Sequence, residues 1–419
     1  MPRRRTIIAA SLALAAAGMA WVAAPALSLR PYLPPARDFG QPLPEVRALD
    51  PAERAVHTPA GGEHAGDPVR FISAQAEAPH EFDLVGLAAE RREVEIRVRS
   101  ADDGQWSAWE PSEGGDPIYA PGSDAAQVRA RDFHPEGELH YVNVSGTGGG
   151  FGERLLSAAR GGIHGAFLSA ARSAPVRLLL PGTAEAARPP QPDFVSRTAW
   201  GADSATGGCH PRTSPVYGNT RAIVVHHTVS TVDYTPEQAP GIVLGICRYH
   251  LNGNGWNDIG YNALVDRFGT LYEGRAGGMA LPVVGAHTEG YNSQTAGIAS
   301  IGDHTLAPLT PEAQWSLVRY LAWKLTVSRV APRGLATLYS AGGVTNRNPA
   351  GASVVVARIF GHGVTNLTEC PGPLFASVIP QVRAQVRAMV KRYARGKRGR
   401  KKGRKKHRAR QRTASSAPN

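Results

Sequence analysis

Three cysteines in 419 residues are too few for a disulfide-built scaffold, so hydrophobic burial has to hold this chain together. No internal repeat is present, which removes solenoid and propeller architectures. Beyond the first 28 residues no run is long and apolar enough to span a bilayer, which excludes a polytopic helical membrane protein. Acidic residues are absent from Lys391 to Asn419, a stretch that holds 14 Lys or Arg. The rest of the chain carries 33 basic and 34 acidic residues, so the formal charge of +13 belongs to the tail and not to the fold. That tail, KRYARGKRGRKKGRKKHRARQRTASSAPN, is low in complexity and cannot bury a core. Residues 393–419 are therefore expected to be a disordered polybasic end.

What is present begins with MPRRRTIIAASLALAAAGMAWVAAPALS, which combines three arginines, an apolar stretch and small residues. Ala24-Pro25-Ala26 fits a small-x-small cleavage site, so residues 1–28 read as a secretory signal peptide and the protein as secreted or wall-associated. An uncleaved membrane anchor is the alternative, because the apolar stretch is near spanning length. Arg4-Arg5 before Thr6, Ile7 and Ile8 points weakly to the twin-arginine route.

Composition then divides the chain. Residues 29–67 are rich in Pro, Ala and charge without periodicity, and read as an extended linker. In 68–148, Val94, Ile96 and Val98 alternate with Glu95, Arg97 and Arg99, and Leu139, Tyr141 and Val142 mark a second such stretch. This period-two pattern predicts a small β-sandwich-like domain. Its Trp106 and Trp109 either pack at a core or edge or line a sugar-binding face. Residues 149–192 are rich in Gly, Ala and Pro and read as an interdomain linker.

Residues 193–392 interleave strands and helices. Ala222 to Val225 form an apolar strand ending at His226, and Tyr261–Asp266 and Gly297–Ile301 read as strands. Thr235-Pro236-Glu237-Gln238 and Thr310-Pro311 are helix starts. The second is followed by Trp315, Val318, Leu321, Ala322 and Leu325 on one stripe. A last helix runs from about Leu374 to Tyr393. The fold class is α/β, a mixed β-sheet flanked by helices.

The chemistry concentrates in His226-His227 at a strand end and in GHGVTNLTECPG, where Cys370 follows His362 by eight residues. One imidazole from each segment plus a thiolate makes a three-ligand zinc site with its fourth position open, the form of catalytic zinc. With Cys370 on a metal, Cys209 and Cys247 remain. Export favours a Cys209–Cys247 disulfide over two buried thiols.

Five ordered blocks carry a resemblance: RTAWGA, VVHHT, GWNDIGYNALVDRFGTLYEGR, GAHTEGYNSQTAGIASIGD and GHGVTNLTECPG. Residues 193–392 resemble the peptidoglycan recognition protein and type 2 N-acetylmuramoyl-L-alanine amidase family, and the whole chain is more loosely similar to exported actinobacterial-type amidases. The resemblance implies a Zn2+ ion held by His226, His362 and Cys370 at the bottom of a groove. It implies Tyr261 and Thr368 as catalytic residues, the first orienting the zinc water or stabilising the oxyanion, the second donating a hydrogen bond. Trp256, Arg275, His287 and Asn292 lie in the matching blocks and are expected to contact substrate. Zinc there would polarise the amide between lactyl-muramic acid and L-alanine and lower the pKa of its bound water toward about 7.

Relatives often read GHRDV where this chain has Gly361, His362, Gly363 and Val364, which removes an Arg and an Asp from the loop. Residues 331–357 look like an inserted hairpin at the groove edge. The expected function is a zinc-dependent amidase acting on peptidoglycan, with a non-catalytic peptidoglycan-binding receptor as the alternative. The basic tail is expected to meet anionic cell-envelope polymers rather than a specific nucleic acid, through contacts screened over roughly 8–10 Å in salt.

Overall fold

The computed structural model describes residues 36–57, 68–90, 92–112, 115–145 and 188–414. The signal-peptide assignment and nearly all of the 149–192 linker lie outside these residues. All of them belong to one compact unit, Leu33–Asn419.

The N-terminal part is a sheet of eight strands: Arg37–Pro42 (β1), Val46–Ala48 (β2), Phe71–Ser73 (β3), Ala76–Leu87 (β4), Val94–Ser100 (β5), Glu110–Ser112 (β6), Ile118–Ala130 (β7) and Glu138–Asn143 (β8). The main path runs β1-β8-β4-β7-β3-β2, and β5 joins β7 to β6. Because β7 pairs with β4 and β3 on one side and β5 on the other, the sheet folds over its own core. Val94, Ile96 and Val98 enter that core with Phe82, Val128 and Tyr141, as the alternation requires. Arg97 lies over the rings of both Trp106 and Trp109, each 4.8 Å from the centroid.

The expected linker over 29–67 needs correcting. Residues Arg37–Pro42 pair with β8, Val46–Ala48 pair with β3, and Pro51–His57 (α1) is a helix. These strands are short and sit at sheet edges, with Pro42 at a strand end where its missing N–H costs nothing, so no period-two signal emerges.

The C-terminal part holds a five-stranded mixed sheet of Ala222–His227 (β9), Ala263–Val265 (β10), Leu271–Glu273 (β11), Thr295–Ser300 (β12) and Ile359–Gly361 (β15). Its order is β11-β10-β12-β9-β15; β10, β12, β9 and β15 run parallel and β11 antiparallel. Leu335–Tyr339 (β13) and Ser353–Ala357 (β14) form a separate antiparallel hairpin inside the expected insertion. Pro311–Val327 (α3) and the first turns of the helix beginning at Pro373 (α4) cover one face, burying Leu317, Leu321, Phe375 and Val382 against Ile223 and Val225. Thr310 caps α3 by accepting from the Ala313 N–H at 3.2 Å. Trp315, placed on the apolar stripe by its spacing, is instead 57% exposed: Ala313, Leu317 and Leu321 define the buried line, and Trp315 falls on the far side of the turn.

Two further differences concern helix ends. Ala239–Arg248 (α2) begins after the Thr235–Gln238 turn, in which the Gln238 side chain accepts from the Thr235 N–H at 2.7 Å. The last helix does not stop at Tyr393 but continues to Ala414. The expectation of a disordered tail is thus corrected over most of its length: Lys, Arg, Ala and Gln are good helix formers and need no core to follow an existing helix.

The two sheets are not separate bodies. Leu84, Tyr119 and Val142 of the β-rich part share one buried cluster with Ile242, Val243 and Ile246 of α2. Gly245 on α2 has no room for a side chain, since a Cβ would lie 2.2 Å from Leu84 Cδ1. Arg248 of α2 pairs with Asp38 of β1 at 2.8 Å through both Nε and Nη2. Cys247 on this helix is disulfide-bonded to Cys209.

Candidate metal and catalytic site

Strand parity decides between the two adjacent histidines. Ala222, Val224 and His226 share one face of β9, while Ile223, Val225 and His227 share the other. The Nδ1 of His227 is accordingly engaged outside the ligand set, accepting from the His304 N–H at 3.2 Å. The neighbouring parallel strand β15 ends at Gly361 and delivers His362 beside His226, with ring centroids 4.5 Å apart. Cys370 closes the set from the loop before α4. One ligand atom from each of His226, His362 and Cys370 lies within 4.8 Å of the others.

The atoms suit a borderline-soft divalent cation. His226 Nδ1 faces Cys370 Sγ at 3.6 Å. The Nε2 of His362 is buried without a protein hydrogen-bond partner. Burial, reinforced by the other histidines, holds His226 well below its ordinary pKa, and burial alone takes His362 down to about 3. Both imidazoles are therefore neutral, as metal ligands must be. The His227 N–H points at Cys370 Sγ at 3.4 Å, a contact that favours the thiolate. Two imidazoles, one thiolate and an open side fit zinc.

The site lies in a cavity of about 210 Å³. Tyr261, Thr368, Trp256, His287 and Asn292 all line it, and Arg275 does not. His287 does more than face a ligand. Its Nδ1 meets His226 Nε2 at 3.1 Å, so a cation on His226 Nδ1 would leave Nε2–H donating to His287. Asn292 shapes the loop, its Oδ1 accepting from the N–H groups of His287 and Thr288 at 2.8 and 2.9 Å. The Thr368 hydroxyl accepts from the Cys370 N–H at 3.0 Å. Trp256 packs on His250, with centroids 4.5 Å apart. Arg275 donates to the Ile259 carbonyl at 3.2 Å.

Three contributors carried no signal in sequence. Arg347, from the inserted segment, donates through Nε to the carbonyls of Gly363 and Asn366, both at 2.9 Å. It supports the loop that carries Gly363 and Val364. Gly363 fits this loop closely, because a Cβ there would sit 2.6 Å from the Thr368 carbonyl. The same insertion brings Thr345 to the cavity, where Glu289 accepts from its N–H at 2.7 Å and its hydroxyl at 2.9 Å. The third contributor is Asp116, from the turn between β6 and β7. It lines the cavity and accepts from the Tyr261 hydroxyl through Oδ2 and from His250 Nε2 through Oδ1 at 2.7 Å. From the adjacent strand, half-buried Glu110 is pushed up to about 7, first by burial and then by the charge of Asp303.

The family model described as N-acetylmuramoyl-L-alanine amidase matches residues 216–373. Peptidoglycan-recognition protein SC2 of Drosophila melanogaster is 30% identical over 179 residues, covering 43% of this chain and 80% of its own. A second peptidoglycan-recognition protein of the same species is 31% identical over 162 residues, covering 39% and 74%. An N-acetylmuramoyl-L-alanine amidase of Sus scrofa is 35% identical over 136 residues, which are 30% of this chain and 20% of that one.

Proposed function

Because the chain belongs to the family of peptidoglycan-recognition proteins and N-acetylmuramoyl-L-alanine amidases, we propose that it hydrolyses the amide between lactyl-muramic acid and L-alanine in peptidoglycan, with zinc as cofactor. One observation carries the reading: the His226, His362 and Cys370 ligand atoms converge within 4.8 Å in a cavity that also holds a tyrosine hydroxyl and a carboxylate. A receptor needs the groove but not a thiolate beside two neutral imidazoles.

Zinc at this position supplies a Lewis acid for the scissile carbonyl and a water of lowered pKa. The rest falls to the chain's own groups. His287 orients His226 and fixes its tautomer. The His227 N–H donates toward Cys370 Sγ and so favours its thiolate. Thr368 and Arg347 fix the His362–Cys370 loop, and Tyr261 places a hydroxyl where water and amide meet. Trp256 and Glu289 line the cavity where the stem peptide would enter. The protein would work outside the cell after loss of residues 1–28, a setting in which the Cys209–Cys247 disulfide is stable. The basic helix would hold it to anionic envelope polymers.

Purified muropeptides digested with wild type and Cys370→Ser, with and without chelator, test the reading. The zinc-loaded wild type is expected to release free peptide stems. The variant and the chelated enzyme should lose more than about 100-fold in rate, beyond the usual upper cost of an outer ligand partner. Binding without stem release by the zinc-loaded wild type would favour the receptor.

A further inference from the structure

We infer that Asp116, delivered by the β-rich region, is the proton-holding partner of Tyr261, so that the β-rich region forms a working part of the catalytic site. This assignment rests on the amidase reading and names a group that reading lacks: the acid for the leaving amine.

Asp116 lies outside residues 216–373, the part of the chain matched by the family model, and 145 residues from Tyr261. It is only 8% exposed. Its two carboxylate oxygens are both used. The Nδ1 of His250 accepts from the Gly260 N–H at 3.1 Å, so its Nε2 carries the ring proton and donates to Asp116 Oδ1 at 2.7 Å. The other oxygen, Oδ2, accepts from the Tyr261 hydroxyl. The turn is held from both sides. Ser112 Oγ donates to the Asp116 carbonyl at 2.7 Å, and Asn254 Nδ2 donates to the Gly115 carbonyl at 2.6 Å. A buried carboxylate fixed this firmly and facing the cavity is positioned for chemistry as well as for packing.

A phenol that donates its proton to a carboxylate offers its oxygen lone pairs as acceptors. Tyr261 therefore orients the attacking water by accepting from it, rather than donating to the developing oxyanion. Hydrolysis then balances through this pair. As the carbon–oxygen bond forms, the water O–H breaks and its proton passes to Tyr261 Oη, whose own proton moves to Asp116 Oδ2. As the carbon–nitrogen bond breaks, the reverse transfer gives one proton to the alanine nitrogen and returns the pair to its starting state.

The test uses the full metal-loaded chain and soluble muropeptides. Asp116→Asn preserves shape and one acceptor but cannot take the proton. Its kcat should fall about 100- to 10,000-fold, with KM within about twofold of wild type and metal content and Tm unchanged. Combined with Tyr261→Phe it should be no slower than the slower single variant, because the two act as one unit. Wild-type kcat in Asp116→Asn overturns the assignment. So does a loss expressed only in KM or metal content, or one that multiplies independently with Tyr261→Phe. If Asp116→Asn does not fold, Asp116→Ser replaces it, with added formate expected to restore turnover; no restoration overturns the assignment. A wild type that releases no stems sinks the amidase reading and this assignment together, whereas an active wild type beside an unimpaired Asp116→Asn sinks the assignment alone.

Discussion

His226 and His362 enter the cavity from adjacent parallel strands of one sheet, with Cys370 from the following loop, whereas Asp116 reaches the same cavity from a turn of a different sheet. The first group uses residues whose chemistry is rare and whose spacing is informative. The second uses an ordinary aspartate in a segment of small and polar residues. A cavity can thus draw half of its groups from motifs and half from packing. The packing half depends on the seam between β4, β8 and α2, where Leu84 fills the space left by Gly245.

The largest effect should come from that seam. Leu84→Ala removes a fully buried side chain and should cost about 2–5 kcal/mol. If the two sheets form one cooperative unit, calorimetry should show a single transition moved down as a whole. Two transitions with only one displaced would make the β-rich part an independent domain. Next, Arg347→Ala removes the donor to the Gly363 and Asn366 carbonyls and should weaken zinc affinity about 10- to 100-fold in a chelator competition. An unchanged affinity would mean that Gly363 and Val364 leave a loop able to hold itself. The smallest catalytic effect belongs to the tail. Deleting residues 394–419 should leave kcat on soluble muropeptides unchanged while weakening sedimentation with cell walls at low salt, and unchanged sedimentation would remove the tail from the reading.

The ligand candidates could be named in sequence because ligand type and turn residues are local properties. The resemblance chose His226 over His227, a choice that only the strand in place rationalises through parity, whereas Thr310-Pro311 marks a helix start by its own hydrogen-bonding chemistry. The Cys209–Cys247 pairing followed from which thiols remained once Cys370 was given to a metal. What stayed illegible depends on long-range closure. Arg37–Pro42 becomes a strand only because Glu138–Asn143 lies beside it. Asp116 and Arg347 act through carbonyls, a ring nitrogen and a phenol contributed by distant segments, so no window around either residue announces a role. Trp315 shows the related limit within a helix: spacing identifies a stripe, but the neighbours fix which line of the stripe is covered.

The continuation of α4 to Ala414 turns a list of charges into a line of them. At about 1.5 Å of rise per residue, the 22 backbone positions from Lys391 to Arg412, 14 of them Lys or Arg, span roughly 33 Å of helix, near one basic position every 2.4 Å. Double-stranded DNA, at one per about 1.7 Å, gathers a sheath of condensed counterions at comparable density. This helix would carry a mirror-image sheath of small anions, and a polyanion that docks on it would set those ions free. Attachment would then be driven by the mixing entropy of released salt, and the slope of log affinity against log salt would count the charges engaged.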